Sequence, residues 1–208
     1  MMRVAMAKNR GVLIAIEGID GAGKSTQSVL LKRALEQRGY EVVLLKEPTN
    51  GVWGSKVRRL AQLGRHVSPE EELELFLRDR EENAKQHIIP ALESGRVVIM
   101  DRYYPSSMAY QGALGIDPQL IRERSERVAP VPDLVVVLDV PPEVGVSRIL
   151  KRGERPNHFE EEEYLRAVRD VFRRIVEEGM GVLVDGTLSP QRVHARILEL
   201  AMPLVEDC

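Results

Sequence analysis

Val12-Leu13-Ile14-Ala15-Ile16-Glu17-Gly18-Ile19-Asp20-Gly21-Ala22-Gly23-Lys24-Ser25 is the stretch that decides the fold. An unbroken apolar run, Val12 to Ile16, passes into a glycine-rich turn and then into the helical pattern Lys24 to Arg38. A strand apolar on both faces is one covered by helices on both sides. Four runs of the same kind follow, Val42 to Leu45, Val97 to Met100, Leu134 to Leu138 and Val182 to Val184. Between them lie the helical patterns Pro69 to Glu93, Glu143 to Lys151 and Glu160 to Glu178, and Pro190 to Leu200 follows the last. This alternation predicts βαβ units, a five-stranded parallel sheet and a three-layer α/β/α sandwich. Ser68-Pro69-Glu70-Glu71 reads as a capping box that starts one of the helices.

The turn itself, Gly18-Ile19-Asp20-Gly21-Ala22-Gly23-Lys24-Ser25, satisfies G-x-x-x-x-G-K-[ST] between a strand and a helix. Its three glycines let the backbone curl so that successive N–H groups and the helix N-terminus face phosphate oxygens. Lys24 adds a positive charge, and Ser25 is the expected Mg²⁺ ligand. An ordinary strand-to-helix turn gives no reason for Lys and Ser after the third glycine. The chain has no N-K-x-D segment to specify guanine and little sequence left for the modules of a hydrolytic motor. There remain a small enzyme passing the terminal phosphoryl group of ATP to another small molecule, and an ATP-dependent switch that binds a protein.

Composition narrows the setting. With 208 residues, 30 Lys+Arg against 32 Asp+Glu and 43% hydrophobic residues, the chain reads as one folded domain without the charge excess of a nucleic-acid binder. Its single cysteine, Cys208, permits no internal disulfide, which fits a reducing cytoplasm. No apolar run is long enough to span a membrane. Residues 1–10 read as a leader and 11–208 as the single domain.

A second anion site is expected beside the first. The strand Val97 to Met100 ends in Asp101-Arg102, and ligands in open parallel sheets bind outside the carboxyl ends of the strands. Asp101 can hold Mg²⁺ and Arg102 can clamp a second phosphate. Asp139 and Asp185 also end strands, but no base follows either. On the apolar stripe of the helix after Pro69, Arg80 stands where another apolar residue is expected, one turn from Phe76. Ring and guanidinium together suit a flat heterocycle; the plainer alternative is a core Phe with a salt-bridged Arg that reaches the surface.

Together these residues resemble the thymidylate kinase family. The matching stretches are Ile16 to Gln27, Lys46-Glu47-Pro48, Leu75 to Arg80, Ile89-Pro90-Ala91-Leu92 and Asp101 to Gln111. The resemblance implies a P-loop fold with a mobile lid and the reaction ATP + dTMP → ADP + dTDP with Mg²⁺, in a cytoplasmic homodimer. A kinase for another nucleoside monophosphate or for a deoxynucleoside is the neighbouring reading. Gly18, Ile19, Asp20, Gly21, Ala22, Gly23, Lys24, Ser25 and Thr26 would hold ATP, with Arg148. Phe76 would stack on thymine and Arg80 bond its carbonyl edge, while Arg102 and Arg58 serve the acceptor phosphate and Ser106 belongs to the dTMP site. Asp20 would accept from the sugar 3′-hydroxyl, Tyr110 close over the sugar, and Gln111 approach the base. Lys24 and Asp101 join the catalytic set. The lid would be residues 148–160; with no arginine in the glycine-rich loop, it would supply the catalytic one, Arg152 first and Arg155 second.

Overall fold

The computed structural model describes residues 10–63, 67–151, 153 and 162–206. Five strands, β1 (Leu13–Gly18), β2 (Val42–Lys46), β3 (Val97–Asp101), β4 (Leu134–Asp139) and β5 (Val182–Asp185), form one all-parallel sheet in the order β2-β3-β1-β4-β5. The central position of β1 is written in its composition, since every residue from Leu13 to Gly18 is buried. The edge strand β2 is only half-buried.

Helices flank this sheet. Those of the first half are α1 (Lys24–Glu36), α2 (Val52–Leu63), α3 (Pro69–Asn83) and α4 (Ile89–Glu93). They are followed by α5 (Tyr104–Gly112), α6 (Pro118–Glu126), α7 (Pro142–Lys151), α8 (Glu162–Glu177) and α9 (Pro190–Glu206). Helix α1 packs with α9 on the sheet, and α5 packs with α8. The inner stripe of α8, Leu165, Val168, Val171, Phe172 and Ile175, is buried at helical spacing. At about 1.5–3 kcal/mol for each large side chain taken from water, this one stripe contributes on the order of 10 kcal/mol before entropy is subtracted.

Two departures from the sequence pattern have local causes. The helix expected from Pro69 to Glu93 is divided by a π turn at Ala84–Ile88. Pro90, in the first turn of α4, has no N–H to donate to a carbonyl four residues back, and the backbone takes the wider turn instead. Helix α5 carries no amphipathic signal because Tyr104 to Gln111 are all buried, so no polar face exists to reveal the period. The capping box at Ser68 and Glu71 forms as its spacing requires.

Register brings the chemistry together. Ile16 on β1 and Lys46 on β2 both align with Asp101 on β3. The carboxyl ends of the three strands therefore open at one place, beside the N-terminus of α1.

Candidate active site

The glycine-rich loop wraps the start of α1. Gly23 takes the N-cap position at φ 104°, and no side chain caps the helix, so its first N–H groups are left to the adjoining cavity of about 670 Å³. Gly21 lies at φ 78°, and a Cβ there would meet the carbonyl oxygen of Gly145 on α7 at 2.2 Å. A side chain is excluded from that position twice, by conformation and by space. Ala22, Lys24, Ser25 and Thr26 line the cavity. Gly18 and Ile19 act from behind through their carbonyls, which accept from Lys24 Nζ at 3.0 and 2.8 Å. Burial, together with nearby Arg102, pulls the Lys24 ammonium down to about 8 against the opposing pull of Asp20, Asp101 and Glu17.

Ser25 donates to Asp101 Oδ2 at 2.5 Å, and Lys46 Nζ lies 3.4 Å from the same oxygen. The other oxygen, Oδ1, is buried without a hydrogen-bond partner. Burying an unpaired carboxylate oxygen is costly, and a hard cation takes hydroxyl and carboxylate oxygens readily. The pair fits Mg²⁺. Of the other two strand-end acids, Asp139 is bonded twice by Arg169, at 2.6 and 2.9 Å, and Asp185 by the N–H and hydroxyl of Thr187. Arg148 on α7 reaches Gly21 O, Ala22 O and Gly186 O at 3.3, 3.4 and 2.9 Å, closing the far side of the cavity.

A second cavity, about 170 Å³, adjoins the first and is more apolar, lined by Phe76, Ser106, Ser107, Tyr110, Gln111 and Arg58 among others. Asp20 and Arg102 line both cavities. Their side chains form an ion pair, and Tyr110 Oη donates to Asp20 Oδ2 at 2.8 Å. Burial would raise the Asp20 carboxyl, but Arg102 and Lys24 outweigh it and hold it down to about 2. Desolvation in turn pushes the Tyr110 hydroxyl well above its ordinary value. Arg58 donates to the carbonyls of Pro48 and Thr49 and to Ser55 Oγ. Gln111 donates from Nε2 to the buried Glu72 at 3.1 Å, while its Oε1 is buried without a partner.

Arg80 is held from several sides within the protein. It is 1% exposed and does not line the cavity. Its guanidinium holds Glu47 through Nε and Nη2 at 2.9 Å each, and donates to Ser107 at 3.1 Å and Ser125 at 3.3 Å. It is salt-bridged, as the plainer alternative required, yet it stays inside because Glu47 is buried too. Arg80 thus stands behind Ser107, which lines the second cavity.

Spacing did not single out Glu17, Glu47, Glu72 or Ser107. Glu17 carried a visible signal, a lone acid at the end of a wholly apolar strand. It is fully buried, accepts from Tyr103 N–H and Ser106 Oγ, and burial pushes it up to about 7. Arg152, Arg155 and most of the expected lid, like the leader, lie outside the described residues.

A profile described as thymidylate kinase matches residues 16–197. A probable thymidylate kinase of Archaeoglobus fulgidus is 47% identical over 186 residues, 89% of this chain and 92% of the relative. The thymidylate kinase of Xanthomonas campestris pv. campestris (strain B100) is 49% identical over 90% of this chain and 83% of its own length. That of Xylella fastidiosa (strain M12) is 45% identical over 94% and 88%. The matched span takes in both cavities and every strand but the first residues of β1, and on that ground the chain belongs to the thymidylate kinase family.

Proposed function

We propose that the chain transfers the terminal phosphoryl group of ATP to dTMP, giving ADP and dTDP. One observation carries the residue-level reading: the cradle and the apolar cavity share Asp20 and Arg102 at their seam. A donor tail in one and an acceptor phosphate in the other would meet there. A nucleotide-sensing switch has no use for the second cavity.

The reaction has to bring two polyanions together, so alignment and charge neutralisation do most of the work. The loop N–H groups and Lys24 hold the β- and γ-phosphates, and Thr26 and Arg148 complete the donor site. Ser25 and Asp101 hold Mg²⁺, which supplies charge neutralisation on the donor when bound. Arg102 turns from Asp20 to the acceptor phosphate, with Ser106 and Arg58 beside it; Asp20 is then free to accept from the sugar 3′-hydroxyl. Phe76 stacks on the base, Gln111 reads it, and Tyr110 packs on the sugar. The acceptor oxygen of a phosphate dianion needs no general base. The arginine meeting the transferring group comes from the lid at residues 148–160, Arg152 first and Arg155 second. The remaining assignments are a single domain from residue 11 onward, a homodimer joined by helix packing and a cytoplasmic location, which the absence of Cys pairs suits. Among the described residues no helix is long and apolar enough to cross a membrane.

An ADP-release assay with dTMP, dUMP, dCMP, UMP and AMP tests this reading. Turnover is expected to be highest with dTMP; no turnover above bare ATP hydrolysis with any acceptor overturns it. Asp101→Asn is expected to raise the Mg²⁺ concentration needed for half-maximal rate.

A further inference from the structure

Arg102 is the one non-glycine residue at positive φ among the described residues, at 72°. A β-carbon makes that conformation unfavourable, so surrounding contacts have to impose it. They come from β1. Arg102 N–H donates to Ile16 O at 3.1 Å, and the next N–H, of Tyr103, donates to Glu17 Oε1 at 2.7 Å. Glu17 Oε2 accepts from Ser106 Oγ at 2.5 Å, and Ser106 Oγ accepts from Arg102 Nη1 at 3.3 Å. One buried carboxylate therefore grips the Arg102 turn at the backbone and, through Ser106, at the guanidinium. The proposed mechanism gives it no part.

We propose that Glu17 is a positioning residue for the acceptor phosphate, holding the strained Arg102 turn and, through Ser106, aiming the guanidinium at the seam of the two cavities. This rests on the reading that Arg102 binds that phosphate. Glu17 touches neither nucleotide. Its side chain accepts from Tyr103 N–H and Ser106 Oγ, both on the Arg102 side of the site, and this separates the idea from a general need for a buried carboxylate.

The test compares dTMP with thymidine, which has the same base and sugar but no phosphate, binding the full chain by calorimetry. Glu17→Gln keeps the side-chain shape and an acceptor for Tyr103 N–H but sets an amide donor where Ser106 Oγ has its acceptor. It is expected to weaken dTMP binding roughly tenfold while thymidine affinity and the KM for ATP stay within about twofold. Glu17→Asp keeps the charge but draws it one methylene back from Tyr103 N–H and Ser106 Oγ and is expected to shift dTMP in the same direction, which keeps the test open should Glu17→Gln fold poorly. Unchanged dTMP affinity in the variants, or parallel losses for dTMP, thymidine and ATP, overturns the proposal. Arg102→Ala is run alongside. If it leaves the preference for dTMP over thymidine intact, the acceptor-site reading fails and the proposal with it. If it abolishes the preference while the two Glu17 variants keep it, only the positioning role fails.

Discussion

Asp20 on the glycine-rich loop and Arg102 on the turn after β3 are ion-paired at the seam of the two cavities, with the Tyr110 hydroxyl on the second Asp20 oxygen. Arg102 and Lys24 hold the Asp20 carboxyl down to about 2, against an ordinary value of 3.8. Between these values the unfolded chain binds a proton that the folded chain does not, so stability rises with pH there. The contribution is present above about pH 4 and is lost as the pH falls toward 2. Asp20→Asn is expected to flatten that acid limb in denaturant titrations taken from pH 2 to 5. Identical slopes would contradict the ion pair.

Glu17 has the opposite sign. Burial raises its carboxyl from 4.5 to about 7, with Ser106, Arg102, Tyr103 and Lys24 opposing. From pH 4.5 to 7 the folded chain keeps a proton that the unfolded chain has lost, so this group costs stability as the pH rises. Glu17→Gln lacks that slope. Relative to the parent, the variant is expected to gain up to about 3 kcal/mol between pH 4.5 and 8, read from chemical unfolding. The same substitution that weakens dTMP binding would thus favour the fold at alkaline pH. A constant difference across the range would show that Glu17 is not desolvated as described.

How far the sequence discloses such a site depends on the kind of signal. The cradle was legible because its chemistry demands fixed residue types at fixed spacing, Gly18 to Ser25. The sheet was legible because strands covered on both faces must be apolar throughout. Asp101 and Arg102 followed from their place at a strand end. The partners of Glu17, Glu47 and Glu72 were not legible, because Ser106, Arg80 and Gln111 lie 89, 33 and 39 residues away and are joined to them only by the fold. Arg80 is the same case. An arginine on an apolar stripe needs a partner, and the sequence does not show whether the partner is a ligand or a buried acid.

Arg80 and Glu47 are 1% and 3% exposed at their side chains. Removing one member leaves the other charged and uncompensated inside the protein. Arg80→Ala is expected to cost about 3–5 kcal/mol in urea unfolding. Adding Glu47→Gln to it should recover part of the loss, since the amide carries no charge to desolvate. Strict additivity of the two single changes would argue against the pair.

Gln111 meets the second cavity as an acceptor. Its Nε2 is spent on Glu72, so the unpartnered Oε1 is the atom left for a base. Thymine offers a ring N–H at position 3, where cytosine has a lone pair. Gln111→Leu is expected to lower the preference for dTMP over dCMP, in kcat/KM, by at least roughly tenfold. Glu72→Ala should do so less strongly by freeing the amide to turn. A preference unchanged in Gln111→Leu would remove this residue from base reading.

Gly145 on α7 tests whether the helix leading to the lid is mechanically part of the phosphate cradle. A Cβ at Gly145 would meet the Asp20 carbonyl oxygen at 2.4 Å and Ile19 Cδ1 at 3.3 Å. The first contact is with backbone, which cannot swing aside as a flexible side chain can, so either α7 or the loop has to move. Three hydrogen bonds of Arg148 span the same junction, to Gly21, Ala22 and Gly186. All of them lengthen if the helix is pushed outward. Gly145→Ala is therefore expected to lower kcat/KM for ATP by roughly tenfold or more and to cost about 1–3 kcal/mol in stability, the usual range for an overpacked contact. On the proposed function thymidine occupies the cavity on the other side of Asp20, walled in part by α3 and α5, and its affinity should change little. Unaltered ATP kinetics would mean that α7 can retreat without disturbing the cradle; an equal loss of thymidine binding would point to damage spread through the whole fold.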